Sequence, residues 1–123
     1  MEYKIRLGVS EMESFWQDIT QKADAGALSG NEEKLFKKLA KALSLLKNNP
    51  KHNSLATHEI KPLSKRYGMK VWQSYLDNRT PSAGRLFWVY GPGKNEITII
   101  GLEPHPEDKK KSGYEKVRLS ELP

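Results

Sequence analysis

Apolar and polar positions alternate one for one over Tyr3-Lys4-Ile5-Arg6-Leu7, the period of a strand with one face against a core. The period then lengthens to that of a helix. Ser10-Glu11-Met12-Glu13 has the form of a capping box, in which the Ser10 hydroxyl and the Glu13 carboxylate each satisfy a backbone N–H at a helix start. Met12, Phe15, Trp16, Ile19 and Ala23 follow at helical spacing, and Gly26 with the Ala-Leu-Ser-Gly stretch marks a stop and a short loop. Ser29 or Asn31 can cap a second helix whose apolar stripe is Leu35, Phe36, Leu39, Leu43 and Leu46, and Asn48-Asn49-Pro50 ends it. The two read as a helical hairpin. Lys37, Lys38, Lys41 and Lys47 fall on its solvent side, with Lys47 also suited to the negative end of the helix dipole.

Beyond Pro50 the helical stripe disappears, and no further long amphipathic helix is expected before the extreme C-terminus. Leu55–Ile60, Met69–Leu76, Arg85–Tyr90 and Glu96–Leu102 are expected strands, the last two joined by the turn Gly91-Pro92-Gly93-Lys94-Asn95. The order implies an α+β fold: an N-terminal strand, a helical hairpin, then an antiparallel sheet of three to four strands with the hairpin on one face. Phe15, Trp16, Ile19, Leu39, Leu43, Leu86, Trp88 and Ile99 are the expected core. A chain of 123 residues is long enough for one core and short for two, so one domain over 1–123 is expected.

Composition narrows the chemistry. The absence of cysteine excludes disulfides, thiolate nucleophiles and cysteine-ligated zinc. The N-terminal stretch lacks the basic-then-apolar layout of a secretory leader, and no run has the roughly 18 apolar residues of a membrane span, so a cytoplasmic protein is expected. The net charge of +6 is uneven, with nine Lys/Arg against eight Asp/Glu in residues 1–60 and twelve against seven in residues 61–123. Positive charge gathered in one half points to phosphate or to an acidic protein as partner.

Gly91-Pro92-Gly93-Lys94 is not a nucleotide-binding loop, since the spacing between its glycines, the Ser or Thr after the lysine and the following helix are all missing. His52, His58 and His105 have no zinc-ligand spacing, and no metal, cofactor or Gly-x-Ser-x-Gly elbow is expected. What remains is Lys61, Lys65, Arg66, Arg85, His105 and Tyr114. Such groups suit metal-free RNA cleavage, in which a 2′-hydroxyl attacks the adjacent phosphate and a fixed cation, a proton acceptor and a proton donor assist. Alternation puts Arg85 with Phe87 and Val89 on one face of its strand, and Leu86, Trp88 and Tyr90 on the other. His105 is framed by Pro104 and Pro106, and its imidazole can exchange a proton near neutrality. Each of these also has a plainer reading: a strand-end ion pair for Arg85, a surface loop histidine for His105, a lid on the core for Tyr114.

Several motifs in order resemble the RelE/ParE toxin superfamily. They are Leu55-Ala56-Thr57-His58-Glu59-Ile60, the tryptophan strand Val71-Trp72-Gln73-Ser74-Tyr75, the strand from Arg85 to Tyr90, and the isoleucine-rich run from Ile97 to His105 with Tyr114 beyond. The resemblance implies a toxin of a toxin–antitoxin system, an endoribonuclease that cleaves mRNA on the ribosome and is restrained by an acidic antitoxin. It implies catalytic roles for Arg85, His105 and Tyr114, and RNA or ribosome contacts from Lys61, Lys65, Arg66, Lys109 and Lys110. The chain departs from the family in the nine-residue separation of His105 from Tyr114, in the tail to Pro123 and in the long stretch between Leu76 and Arg85. Two alternatives stand beside this reading: a ParE-like inhibitor of DNA gyrase, and a non-catalytic RNA-binding domain of the same fold.

Overall fold

The computed structural model describes residues 2–7, 10–76 and 84–103, and of Ser10, Glu11, Met12 and Glu103 the backbone alone. The chain runs β1 (Lys4–Leu7), α1 (Ser10–Asp24), α2 (Gly30–Asn48), a single 3-10 turn (Asn53–Leu55), β2 (His58–Glu59), α3 (Lys61–Tyr67), β3 (Trp72–Tyr75), β4 (Arg85–Tyr90) and β5 (Glu96–Glu103). The fold is α+β. The five strands form one sheet in the order β1-β5-β4-β3-β2. Four of them pair antiparallel as expected, but β1 joins the edge parallel to β5, Ile5 opposite Ile97 and Leu7 opposite Ile99, so the sheet is mixed.

The helical hairpin forms where the apolar stripes place it. Ser29 caps α2 in a full capping box: its hydroxyl accepts from Glu32 N–H at 3.1 Å and its own N–H donates to the Glu32 carboxylate at 3.0 Å. The Ser10 side chain of the expected Ser10–Glu13 box lies outside the described residues. Lys22, in the last turn of α1, reaches both Asp18 at 3.6 Å and Glu32 at 3.2 Å and so ties the end of one helix to the start of the next. Trp16 stacks on Phe36 with ring centroids 5.6 Å apart, closing the hairpin part-way along its length.

Two clusters lie on opposite faces of the sheet. Under the hairpin, Leu39, Ala42 and Leu46 of α2 meet Leu86, Trp88, Ile97, Ile99 and Leu102, with Phe15, Trp16 and Leu43 packed at the margin. Of the expected core, Ile19, Leu39, Leu86, Trp88 and Ile99 are buried, while Phe15, Trp16 and Leu43 are half-buried. On the far face Phe87, Val89, Val71 and Ile100 meet Ile60 and Leu63, with Tyr67 against them. Leu86 to Val89 are therefore all fully buried, because both faces of β4 are covered. A bulge between Phe87 and Trp88 admits Ile100 as an extra residue of β5: Phe87 faces Gly101 while Trp88 faces Ile99. Without that extra residue Leu102 would turn to the wrong face.

The second cluster corrects the expectation for residues 55–67. Leu55–Ile60 is not one strand. Leu55 closes a 3-10 turn, Ala56 takes the left-handed conformation at φ 46°, and only His58 and Glu59 pair with β3. After Ile60 the seven residues Lys61–Tyr67 form α3, a helix that the sequence pattern does not predict. Its punctuation is Pro62 in the first turn and Gly68 at φ 87° just past the end. The Ser64 hydroxyl accepts from Val71 N–H at 2.8 Å and donates to Ile60 C=O at 3.2 Å, fastening the helix to the start of β3.

Candidate phosphate-binding site

Arg85 is the first residue of β4, and its register places it between Tyr75 of β3 and Glu103 of β5. Directly opposed residues share a face, so Arg85, Tyr75, Phe87, Gln73 and His58 all belong to the face that α3 packs on. Arg85 is half-buried. Its Nη1 donates to Gln73 Oε1 at 3.2 Å, and its guanidinium carbon lies 5.6 Å from the centre of the Phe87 ring. A ring face attracts a cation, so Phe87 supports the guanidinium as well as filling the core.

Tyr75 stands directly opposite this arginine, and His58 lies one strand further across the same face, opposite Gln73. The rings of His58 and Tyr75 have centroids 6.5 Å apart and are tilted at 42°. Tyr75 is half-buried, and His58 is exposed with Nδ1 3.0 Å from the carbonyl of Ala56. If Nδ1 carries the proton and donates to that carbonyl, Nε2 is left as the proton acceptor. The sequence pattern points to neither residue as catalytic. His58 is visible there only as part of the Leu-x-x-His-x-Ile stretch, and Tyr75 can be placed beside Arg85 only once the β3–β4 register is known.

Lys61, Lys65 and Arg66 are all exposed on α3, whose Leu63 is buried in the cluster containing Phe87. The structure thus gathers four of the expected residues, Arg85 and the three cations, on one side of the sheet. His105, Lys109, Lys110 and Tyr114 lie outside the described residues. Among the described residues, no group of three or more His, Asp or Glu could hold a metal ion. No described helix is long and apolar enough to cross a membrane.

A guanidinium fixed on a strand, an accessible imidazole and phenol on the same face, and lysines on the adjacent helix can bind a phosphodiester, stabilise charge growing on it and move a proton. In comparisons with known proteins, no family model matches the chain and no curated protein or solved structure matches it.

Proposed function

We propose that this protein is a toxin of the RelE/ParE type, a metal-free endoribonuclease that cleaves mRNA on the ribosome and is held inactive by an acidic antitoxin. The observation that carries the reading is Arg85: a guanidinium seated between Gln73 and Phe87 on a central strand, with His58 and Tyr75 on the same face. The α+β layout of strand, helical hairpin and sheet, with α3 set between β2 and β3, supports the reading at the level of fold class.

In this reading Arg85 holds the non-bridging oxygens of the scissile phosphate. The 2′-hydroxyl of the preceding nucleotide gives up its proton to an imidazole and attacks phosphorus, and the 5′-oxygen leaves as a proton is supplied to it. Arg85 matches the developing charge because a planar guanidinium offers two parallel donors to phosphate. His58 stands on the correct face to move the proton, beside the role expected of His105, and Tyr75 offers a ring on which a base can stack. Lys61, Lys65 and Arg66 contact backbone phosphates of mRNA or rRNA. The same cations make a surface that an acidic, folding-on-binding partner can cover.

Inducible expression in a bacterium, with mRNA 5′ ends mapped and gyrase supercoiling assayed in parallel, tests this directly. Growth arrest with new 5′ ends inside reading frames, relieved by the acidic product of a neighbouring gene, is the expected result. Arrest with intact mRNA and blocked gyrase would replace it with the ParE-like reading. Intact mRNA without arrest would leave RNA binding alone.

A further inference from the structure

Gln73 is fully buried on β3, opposite Phe87 on one side and His58 on the other. Its carbonyl oxygen accepts from Arg85, and its amide nitrogen has no partner. The orientation follows from chemistry, because a guanidinium has only donors and the amide must turn its oxygen toward it. Turning the oxygen leaves the amide N–H groups pointing at nothing that accepts them. Among the described residues it is the one buried side-chain donor on this face left without a partner, since Trp72 and Thr20 lie on the side of the helical hairpin. An apolar residue of similar size would fill the position without the orphan amide, and only the half-exposed Arg85 would lose an acceptor. A buried glutamine therefore sits where packing alone favours a hydrophobic side chain.

We infer that Gln73 is a positioning residue that aims the Arg85 guanidinium at the scissile phosphate, and that its orphan amide is tolerated for that purpose. The inference rests on the reading of Arg85 as the phosphate-binding cation. Glutamine suits the task better than glutamate because a neutral acceptor fixes the guanidinium without adding a carboxylate that competes with phosphate for the same donors. It also differs from a surface partner in its setting: its strand is paired on both sides and its side chain is fully buried.

Gln73→Met and Gln73→Glu separate this role from a structural one. The measurements are single-turnover cleavage of a defined mRNA on ribosomes, chemical denaturation, and ¹⁵N NMR of the Arg85 side chain in the free protein. In wild type, rotation about the guanidinium C–N bonds of Arg85 should be slowed. Gln73→Met should lessen the slowing and lower kcat by about a hundred-fold, the usual effect of a misplaced group, with little change in KM. Its stability should equal or exceed that of wild type. Gln73→Glu should keep the slowed rotation and instead raise KM. Unchanged cleavage or unchanged Arg85 resonances in Gln73→Met would overturn the inference. So would loss of both stability and activity in Gln73→Met without retention of Arg85 order in Gln73→Glu. Should wild type cut no RNA, the ribonuclease reading fails separately, while the Arg85 resonances and the stability of Gln73→Met still decide whether Gln73 orders the arginine.

Discussion

The Trp88 indole N–H donates to the Ser74 hydroxyl at 2.8 Å inside the sheet. Ser74 lies 2.7 Å from the Thr57 hydroxyl, which donates to the carbonyl of Pro50 at 2.6 Å. Because Thr57 gives its proton to Pro50, Ser74 must donate to Thr57, and the relay runs one way from β4 through β3 to the turn that follows α2. It makes the burial of Trp88 tolerable, since an indole N–H shut away from water needs an acceptor. Ser74→Ala should therefore destabilise the fold by about 1–3 kcal/mol, the usual cost of orphaning a buried donor. Urea denaturation of Ser74→Ala, Trp88→Phe and the double variant checks it. The two losses should be less than additive.

Removal of the strand cation should slow RNA cleavage more than it affects folding. Loss of one preorganised donor facing a charged transition state costs about 2.7–4 kcal/mol, or roughly a hundred- to a thousand-fold in rate. Arg85→Ala should lose that much in single-turnover cleavage, and Arg85→Lys should recover only part, because an ammonium cannot make the two-pronged contact. Near-wild-type cleavage by Arg85→Ala would remove it from the mechanism.

In the proposed reaction His58 and His105 are the two candidates for proton transfer, and replacement separates them. The one that moves the proton should lower cleavage by about a hundred- to ten-thousand-fold when changed to Gln, with RNA affinity nearly unchanged and the rate flattened against pH around neutrality. His58 has the geometric claim, through its ring contact with Tyr75 on the face that also carries Arg85. If His58→Gln cuts normally and His105→Gln does not, the role passes to His105.

The lysines of α3 should act through charge alone. Lys61→Ala with Lys65→Ala should weaken binding to a single-stranded RNA about equally for every sequence, and should reduce the slope of log affinity against log salt by about 0.7 for each phosphate no longer neutralised. A fluorescence titration at several salt concentrations reads both. An unchanged slope would place the RNA elsewhere.

Acid should loosen the hairpin through Glu32. Its carboxyl is held below the usual carboxylate value, first by the N–H of Ser29 and then by Lys22. A depressed folded-state value means that the stabilisation is present above the unfolded carboxylate value and is lost as pH falls through the folded one. Lys22 is raised, chiefly by its bond to Glu32, so its share is present below the unfolded lysine value and is lost as pH rises through the folded one. Glu32→Gln keeps an oxygen for Ser29 but has no charge to lose. Melting curves of wild type and Glu32→Gln should differ at neutral pH and converge in acid, and a constant difference would refute the linkage.

Local pattern determined the parts of this protein whose causes are local. The i, i+3, i+4 stripes of Phe15, Ile19, Leu35 and Leu39 and the Ser29–Glu32 box specify the helical hairpin from neighbouring residues alone, and the alternation from Arg85 to Tyr90 correctly sorts β4 into two faces. Arg85 is legible as a candidate site residue because a charged group heading an apolar strand stands out by itself.

Tertiary structure decided the rest. With only seven residues, α3 is too short to show an amphipathic period, and its stability comes from Leu63 packing on Phe87 and its neighbours rather than from propensity. The parallel pairing of β1 with β5 joins residues about ninety apart in sequence, and alternation carries no signal for the direction or identity of a partner strand. For the same reason the companions of Arg85 are hidden in the sequence. Gln73 reads as one polar residue in a strand, and only the β3–β4 register brings its carbonyl to the guanidinium, with Tyr75 and His58 on the same face. Long-range pairing is set by the burial of whole faces, which no window of sequence contains.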